Sequence, residues 1–233
     1  MSLPYFFIEN ITDTKQITLS EETSRHCIQV LRMQQGEALM LTDGKGSLLQ
    51  ATIINPDRRQ CIVSVTEKQY KQQPARKICV AISLLKNAGR FEWLLEKITE
   101  IGVTEIIPLI SKRTEKQYFR FDRSNNIIIA AMLQSGQVWL PVLHEPCQFE
   151  KTVTETNYTT KLVAHCEEEK KDDILNTKIT ADVQILIGPE GDFTTDEILF
   201  AKQQNFLPVT LGSTRLRTET AAVVAAALLK NKP

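Results

Sequence analysis

The chain has 233 residues, enough to bury a substantial core in one large domain or two small ones. With 42% hydrophobic and 24% charged residues it has the composition of a globular protein, not of a disordered or fibrous one. Its 28 Lys/Arg balance 28 Asp/Glu, so an anionic partner has to be met by a local patch and not by a global field.

Glu9 and Asp13 stand near the start, and no long apolar run follows a basic beginning, which argues against a signal peptide. Tyr5–Ile8 is predicted as a first strand. Ser20 is a good N-cap for a short helix running to Leu31. Leu39–Thr42 breaks at Asp43-Gly-Lys-Gly46, a hairpin signal, and returns as Leu48–Ile54. Asn55-Pro-Asp57 turns the chain into a further strand, Gln60–Thr66. This reads as a small β-rich module, a barrel. Pro74 and its polar neighbours read as a linker, so the boundary is placed between domains 1–72 and 73–233.

Beyond the linker, strands and helices alternate, the pattern of a parallel sheet with helices on both faces, hence an α/β fold. Ile78–Leu85 is nearly all apolar, as a strand buried on both faces should be. Phe91, Leu94, Leu95, Ile98 and Ile101 carry helical spacing up to Gly102. A strand at 105–110, a helix at 123–136, and strands at 160–165, 183–187 and 206–211 follow. The charge run Glu167–Asp173 reads as a solvated loop. The longest strongly apolar run, Ala221–Leu229, has nine residues and falls far short of the roughly 20 needed to span a membrane.

Two stretches concentrate the functional signal, Ile185–Phe193 and Leu211–Ala221. Each is an apolar strand end that runs through glycine into a helix start. Adjacent strand ends bring two loops to one rim, where open α/β sheets place ligands. Thr194 and Glu197 form a capping box, and the amides after Gly188 make a partly positive pocket. Thr218 is a candidate N-cap for the second helix, with Glu219 in its first turn and Arg215 and Arg217 before it. The alternative for one such loop alone is a tight turn with no ligand. The helix Ala221–Leu229 has no polar face, so it is covered either within the chain or by a second subunit. No metal ligands and no nucleophile stand out. The five cysteines, Cys27, Cys61, Cys79, Cys147 and Cys166, are scattered without a C-x-x-C pair, which predicts reduced thiols in a cytoplasmic protein. Any chemistry therefore needs a cofactor to supply the reactive group. Neither a P-loop nor a dinucleotide fingerprint is present, which weakens a kinase or oxidoreductase reading.

Leu186-Ile-Gly-Pro-Glu-Gly191 and Leu211-Gly-x-x-x-Leu-Arg-Thr-Glu-Thr-Ala221 resemble the signatures of the RsmE family of small-subunit ribosomal RNA methyltransferases, in the SPOUT class. Lys97-Ile-Thr-Glu-Ile-Gly-Val103, Gln134-Ser-Gly136 and Val30-Leu-Arg-Met33 with Gly36, Asp43 and Gly44 are similar to further family motifs, so the resemblance spans nearly the whole chain. It implies a trefoil-knotted C-terminal domain, a PUA-like RNA-binding barrel before it, and an obligate homodimer with its site at the subunit interface. It also implies S-adenosylmethionine as cofactor and N3 of one uridine in 16S rRNA as acceptor, with no metal. The family's cofactor positions map onto Ala164, His165 and Cys166, then Ile187, Gly188, Pro189, Glu190 and Gly191. They continue at Leu211 and Gly212, and at Leu216, Arg217, Thr218, Thr220 and Ala221. For His165 the backbone is the expected contact, more than the imidazole. Against the family pattern, Asp192 replaces a glycine, Arg215 an apolar residue, Gln137 and Tyr5 arginines, and Leu133 a glutamate.

Uridine N3 becomes nucleophilic once its proton leaves, so positioning dominates the chemistry. Arg217 is the expected stabiliser of charge on the uracil oxygens, and Glu219 either takes the N3 proton or orients the arginine. Residues 76–123 hold ten basic against six acidic residues, while the first 72 hold eight of each. Arg25, Arg32, Lys112, Arg113 and Arg120 are the suggested RNA contacts. A near-neutral chain with a selective target favours the assembled small ribosomal subunit over free RNA. A non-catalytic, dimeric RNA-binding protein is the alternative reading.

Overall fold

The computed structural model of the chain describes residues 3–11 and 15–232, so Asp13 lies outside the described residues. The chain forms two units, residues 1–73 with 132–140, and residues 74–131 with 141–233.

The first unit is a five-stranded sheet. Its strands are β1 (Tyr5–Phe7), β2 (Gln16–Thr18), β3 (Ala38–Thr42), β4 (Ser47–Asn55) and β5 (Ile62–Tyr70), in the order β1-β3-β4-β5-β2. β1 runs parallel to β3, and the remaining pairs are antiparallel. The β3–β4 hairpin closes at the expected turn, where Asp43 Oδ1 accepts from Lys45 N (2.8 Å) and Ser47 N (3.2 Å). Alternation along the strands points Leu39, Leu41, Leu49, Ile53 and Val63 into one core. Each such side chain contributes about 1.5–3 kcal/mol by leaving water. Ser20 caps α1 (Glu21–Arg25), its hydroxyl accepting from Thr23 N. The helix predicted to Leu31 changes character at His26 and finishes as a π-helical turn through Val30, followed by Arg32 with φ +57°.

The second unit carries eight parallel strands. They are β6 (Ile78–Ser83), β7 (Glu105–Ile110), β8 (Val142–Leu143), β9 (Cys147–Gln148), β10 (Thr160–Ala164), β11 (Asp172–Asp173), β12 (Val183–Ile187) and β13 (Leu207–Thr210). Their order is β11-β13-β10-β12-β6-β7-β8, with β9 also on β7. All six residues of β6 and all five of β12 are buried, as their continuous apolar runs require. The helices are α2 (Ala88–Ile101), α3 (Phe121–Gln134), α4 (Phe149–Thr154), α5 (Thr195–Gln203) and α6 (Thr218–Lys230). Asn87 caps α2, which buries Phe91, Leu94, Leu95 and Ile98 on one face and closes at Gly102.

Several sequence expectations shift. The strand predicted at 78–85 ends at Ser83, the last strand is 207–210, and the helix predicted at 123–136 is 121–134. β2, β8, β9, β11 and α4 are too short to give a periodic signal. The charge run 167–173 is not merely a solvated loop. It ends in β11 against β13, and Lys171 Nζ donates to the carbonyls of His165 and Glu167 at 2.8 Å. Among the described residues no helix is long and apolar enough to cross a membrane.

Candidate active site

β10 lies between β13 and β12, and all three run in the same direction. Their C-terminal ends therefore deliver residues 164–166, 188–193 and 211–217 to one rim, and α2 adds Arg90. Together they enclose a cleft of about 840 Å³. Of the positions matched to a cofactor, Ala164, His165, Cys166, Ile187, Gly188, Pro189, Glu190, Leu211, Gly212, Leu216, Arg217, Thr218 and Ala221 line it. Gly191 and Thr220 do not, nor does Glu219. Sequence reasoning missed Arg90 and Lys171, which come from a helix far upstream and from the charge run.

The 188–193 loop is narrow because a side chain does not fit at its start. A Cβ on Gly188 would stand 3.1 Å from Phe193 N and 3.2 Å from Asp192 Oδ1. Asp192 takes φ +64°, a backbone state that aspartate tolerates better than most residues. Its carboxylate then joins two loops, with Oδ2 accepting from Cys166 N (2.7 Å) and Oδ1 from Phe193 N (2.8 Å). The residue that departs from the family glycine thus replaces freedom with a brace. Behind it, α5 opens with the predicted capping box: Thr194 Oγ1 accepts from Glu197 N, and Glu197 Oε2 accepts from Thr194 N. Glu197 is buried, and its Oε1 also accepts from Lys112 N at 2.8 Å.

The second loop differs. Residues 212–215 are exposed, and Arg217, not Thr218, is the N-cap residue of α6. Arg217 makes no side-chain cap, and Thr218 is already helical. Glu219 sits in the first turn with 7% of its surface exposed. Its Oε1 lies 3.7 Å from Arg90 Nε, and its Oε2 is buried without a hydrogen-bond partner.

His165 is buried at the floor of the cleft. Burial first, and the neighbouring Lys171 charge second, hold its imidazole below the ordinary value, against the opposing pull of Glu169, Asp192 and Glu167. The ring is therefore neutral near pH 7. Nε2 stands 3.1 Å from Glu169 Oε1, yet neither ring nitrogen makes an aligned hydrogen bond. Burial, then the Asp192 carboxylate, pushes the Cys166 thiol up, so it is no nucleophile.

The suggested RNA contacts fall into two groups. Arg113 Nη1 donates to Gly191 O (2.8 Å) and Phe193 O (3.4 Å), and Lys112 Nζ reaches Asp196 Oδ2 (3.5 Å). Both residues brace the 188–196 segment. Arg25 pairs with Glu21 across one helical turn, Arg32 is exposed, and Arg120 lies over the Tyr118 ring. Among the described residues no group of three His, Cys, Asp or Glu is disposed to hold a metal ion.

The RNA methyltransferase domain family matches residues 71–230, and the RNA methyltransferase PUA domain family matches residues 19–66. A ribosomal RNA small subunit methyltransferase E from Synechocystis is 30% identical over 220 residues, covering 91% of this chain and 71% of that protein. The chain belongs to this methyltransferase family. Among solved structures, a probable rRNA methyltransferase from Porphyromonas gingivalis is 38% identical with a TM-score of 0.90, and 97% of each chain is covered. A ribosomal RNA small subunit methyltransferase E from Neisseria gonorrhoeae, bound to S-adenosyl methionine, is 27% identical with a TM-score of 0.88. That match covers 97% of this chain and 96% of the other. The family's glycine signatures are the two loops that wall the cleft.

Proposed function

We propose that this enzyme methylates N3 of a specific uridine in 16S rRNA, with S-adenosylmethionine held in the cleft at the rim of β10, β12 and β13. The observation that carries this reading is the cleft itself. It is walled by both family signatures and offers four cations (Arg90, Lys171, Arg215 and Arg217) beside two carboxylates (Glu190 and Asp192). The bare backbone at Gly188, where a Cβ would be tightly crowded, suits close approach of a flat ring to the chain. The residues present therefore fit the cofactor, and 187–191, 211–212 and 216–221 with 164–166 would hold it. When bound, it supplies an electrophilic methyl group.

The chain's own residues orient, exclude water and manage charge. Arg217, exposed on the cleft, stabilises negative charge on the uracil oxygens once N3 loses its proton. The N-terminal unit is read as a small PUA-like β-barrel, on the support of its single buried core. Arg25, Arg32 and Arg120 are assigned to phosphate contact, while Lys112 and Arg113 are assigned to loop support. A trefoil knot is supported by the path of α6, which leaves β13 and returns to pack on α2, β6 and β12. Homodimerisation is supported by the half-exposed apolar face of α6 (Val223, Val224 and Leu228) and by Trp93, 45% exposed on α2. The reaction is placed in the cytoplasm, in keeping with five free cysteines.

Mass spectrometry of 16S rRNA from cells lacking the protein tests the function. One uridine should lose one methyl group, and purified protein with S-adenosylmethionine should restore it on small subunits. An unchanged methylation map, or calorimetry without cofactor binding, rejects the proposal in favour of a non-catalytic RNA-binding role.

A further inference from the structure

Glu219 poses a problem that the family signature does not solve. It is a carboxylate in the first turn of α6, 7% exposed, with one buried oxygen that no described protein group satisfies. Leaving a buried acceptor unpaired costs about 1–3 kcal/mol, more for a charged group. The cation nearest to it is Arg90, at 3.7 Å through Nε, and not its chain neighbour Arg217. Arg90 belongs to the first turn of α2, is 43% exposed in its side chain, and lines the cleft. Its Nη groups make no hydrogen bond to a described residue. Glu219 itself does not line the cleft. The carboxylate therefore faces Arg90 on α2, and the guanidinium it faces lines the cleft.

We propose that Arg90 is a catalytic residue that binds a carbonyl oxygen of the target uracil, and that Glu219 is its positioning residue. The inference rests on the methylation reading above. Deprotonated uracil carries its charge on two oxygens that flank N3; of the three arginines that line the cleft, Arg90, Arg215 and Arg217, only Arg90 has a buried carboxylate within 4 Å among the described residues. The N3 proton leaves to solvent water, the freed lone pair forms the N–C bond to the incoming methyl, and the S–C bond electrons return to sulfur. Donors aimed at the uracil oxygens lower the cost of the first step and hold the ring in plane for the second. A guanidinium drawn toward a buried carboxylate at 3.7 Å is biased to the side of the cleft where it would act.

The test uses the full chain with S-adenosylmethionine and small ribosomal subunits, comparing R90A, R90K and E219Q with the wild type. R90A should lower kcat about a hundredfold, the scale seen when one oxyanion donor is removed. Cofactor affinity by calorimetry and subunit affinity by filter binding should stay within about twofold, well under the 1.4 kcal/mol that a tenfold change represents. Lysine restores charge without the fork, so R90K should lie between the two. E219Q removes the charge that faces Arg90 at 3.7 Å, and should lose about tenfold in kcat, the equivalent of about 1.4 kcal/mol. The decisive readout is the pH–rate profile: the R90A deficit should shrink as pH rises, because N3 then ionises without help. A structural defect would depress the rate equally at every pH.

A weaker cofactor affinity with kcat intact would assign Arg90 to the cofactor's carboxylate instead. Salt-dependent loss of subunit affinity with kcat intact would assign it to a phosphate. Either result, or a pH-independent deficit, overturns the proposal. Failure of the underlying reading is distinguishable, since the wild type would then transfer no methyl to small subunits. R90A alters an exposed side chain, so it keeps the test informative if E219Q does not fold.

Discussion

The two glycine-bearing walls of the cleft look alike in sequence, yet they are held in opposite ways. The 188–194 wall is tied at nearly every residue. Glu190 accepts from Lys86 N, Asp192 from Cys166 N, and Gly191 O from Arg113, while a full capping box starts α5. In the 211–217 wall, Thr210 pairs with Gly212, Arg217 O accepts from Ala221 N as α6 begins, and that helix starts without a side-chain cap. One wall is pre-organised before any ligand arrives. The other is tied at fewer points, and its exposed polar side chains are the groups a ligand can use. The difference explains why the N-cap of α6 is an arginine. A better cap would stabilise the helix and remove a cation from the cleft.

Breaking the rigid wall should have the largest effect. Glu197→Ala removes the shared acceptor of Thr194 N, Thr194 Oγ1 and Lys112 N. With two amides left unpaired at about 1–3 kcal/mol each, the expected loss is about 2–6 kcal/mol. Thermal unfolding should fall by several degrees, at roughly 2–4 °C per kcal/mol for a chain of this size. A melting temperature within one degree of the wild type would show that the wall is not held from behind.

Next is the front of the same wall. In Gly188→Val the new Cβ meets Phe193 N at 3.1 Å and Phe193 Cδ2 at 3.2 Å, and backbone cannot move aside as a flexible side chain can. Overpacking of this kind costs about 1–3 kcal/mol, a roughly 10- to 100-fold weaker cofactor Kd if the strain is relieved by displacing the loop. Calorimetry checks it. Undiminished affinity would place the binding surface elsewhere in the cleft.

Much of the rigid wall was legible, because its signals are local. A capping box spans four residues, β12 is apolar at four of its five positions, and Gly188 marks a place where a side chain is crowded. The other wall was misread at its one ambiguous point. Thr218 has the better cap chemistry, yet the helix starts one residue earlier, and Arg217 occupies the cap. The braces were invisible for a different reason. Asp192 to Cys166, Arg113 to Gly191 and Arg90 to Glu219 join residues 26, 78 and 129 positions apart. Each depends on the strand order β13-β10-β12-β6-β7, which periodicity does not encode. The partners of Lys112 and Arg113, Asp196 and the carbonyls of Gly191 and Phe193, were equally out of reach of a charge count.

The smallest effect tests the open wall by improving it. Arg217 has the extended backbone of an N-cap, φ −68° and ψ 153°, so Arg217→Ser places a hydroxyl where α6 has free amides. A serine cap should add about 0.5–1 kcal/mol and raise the melting temperature by a few degrees. Methyl transfer should fall at the same time, because the cation that faces the acceptor is gone. Stability gained with activity lost is the signature of a position held below its structural optimum by its chemistry. If R217S is less stable than the wild type, the arginine has a packing role that its exposure does not suggest. If it is more stable and fully active, the open wall needs no cation at this position, and Arg90, with Arg215 and Lys171 as the remaining cations of the cleft, would have to meet the uracil oxygens.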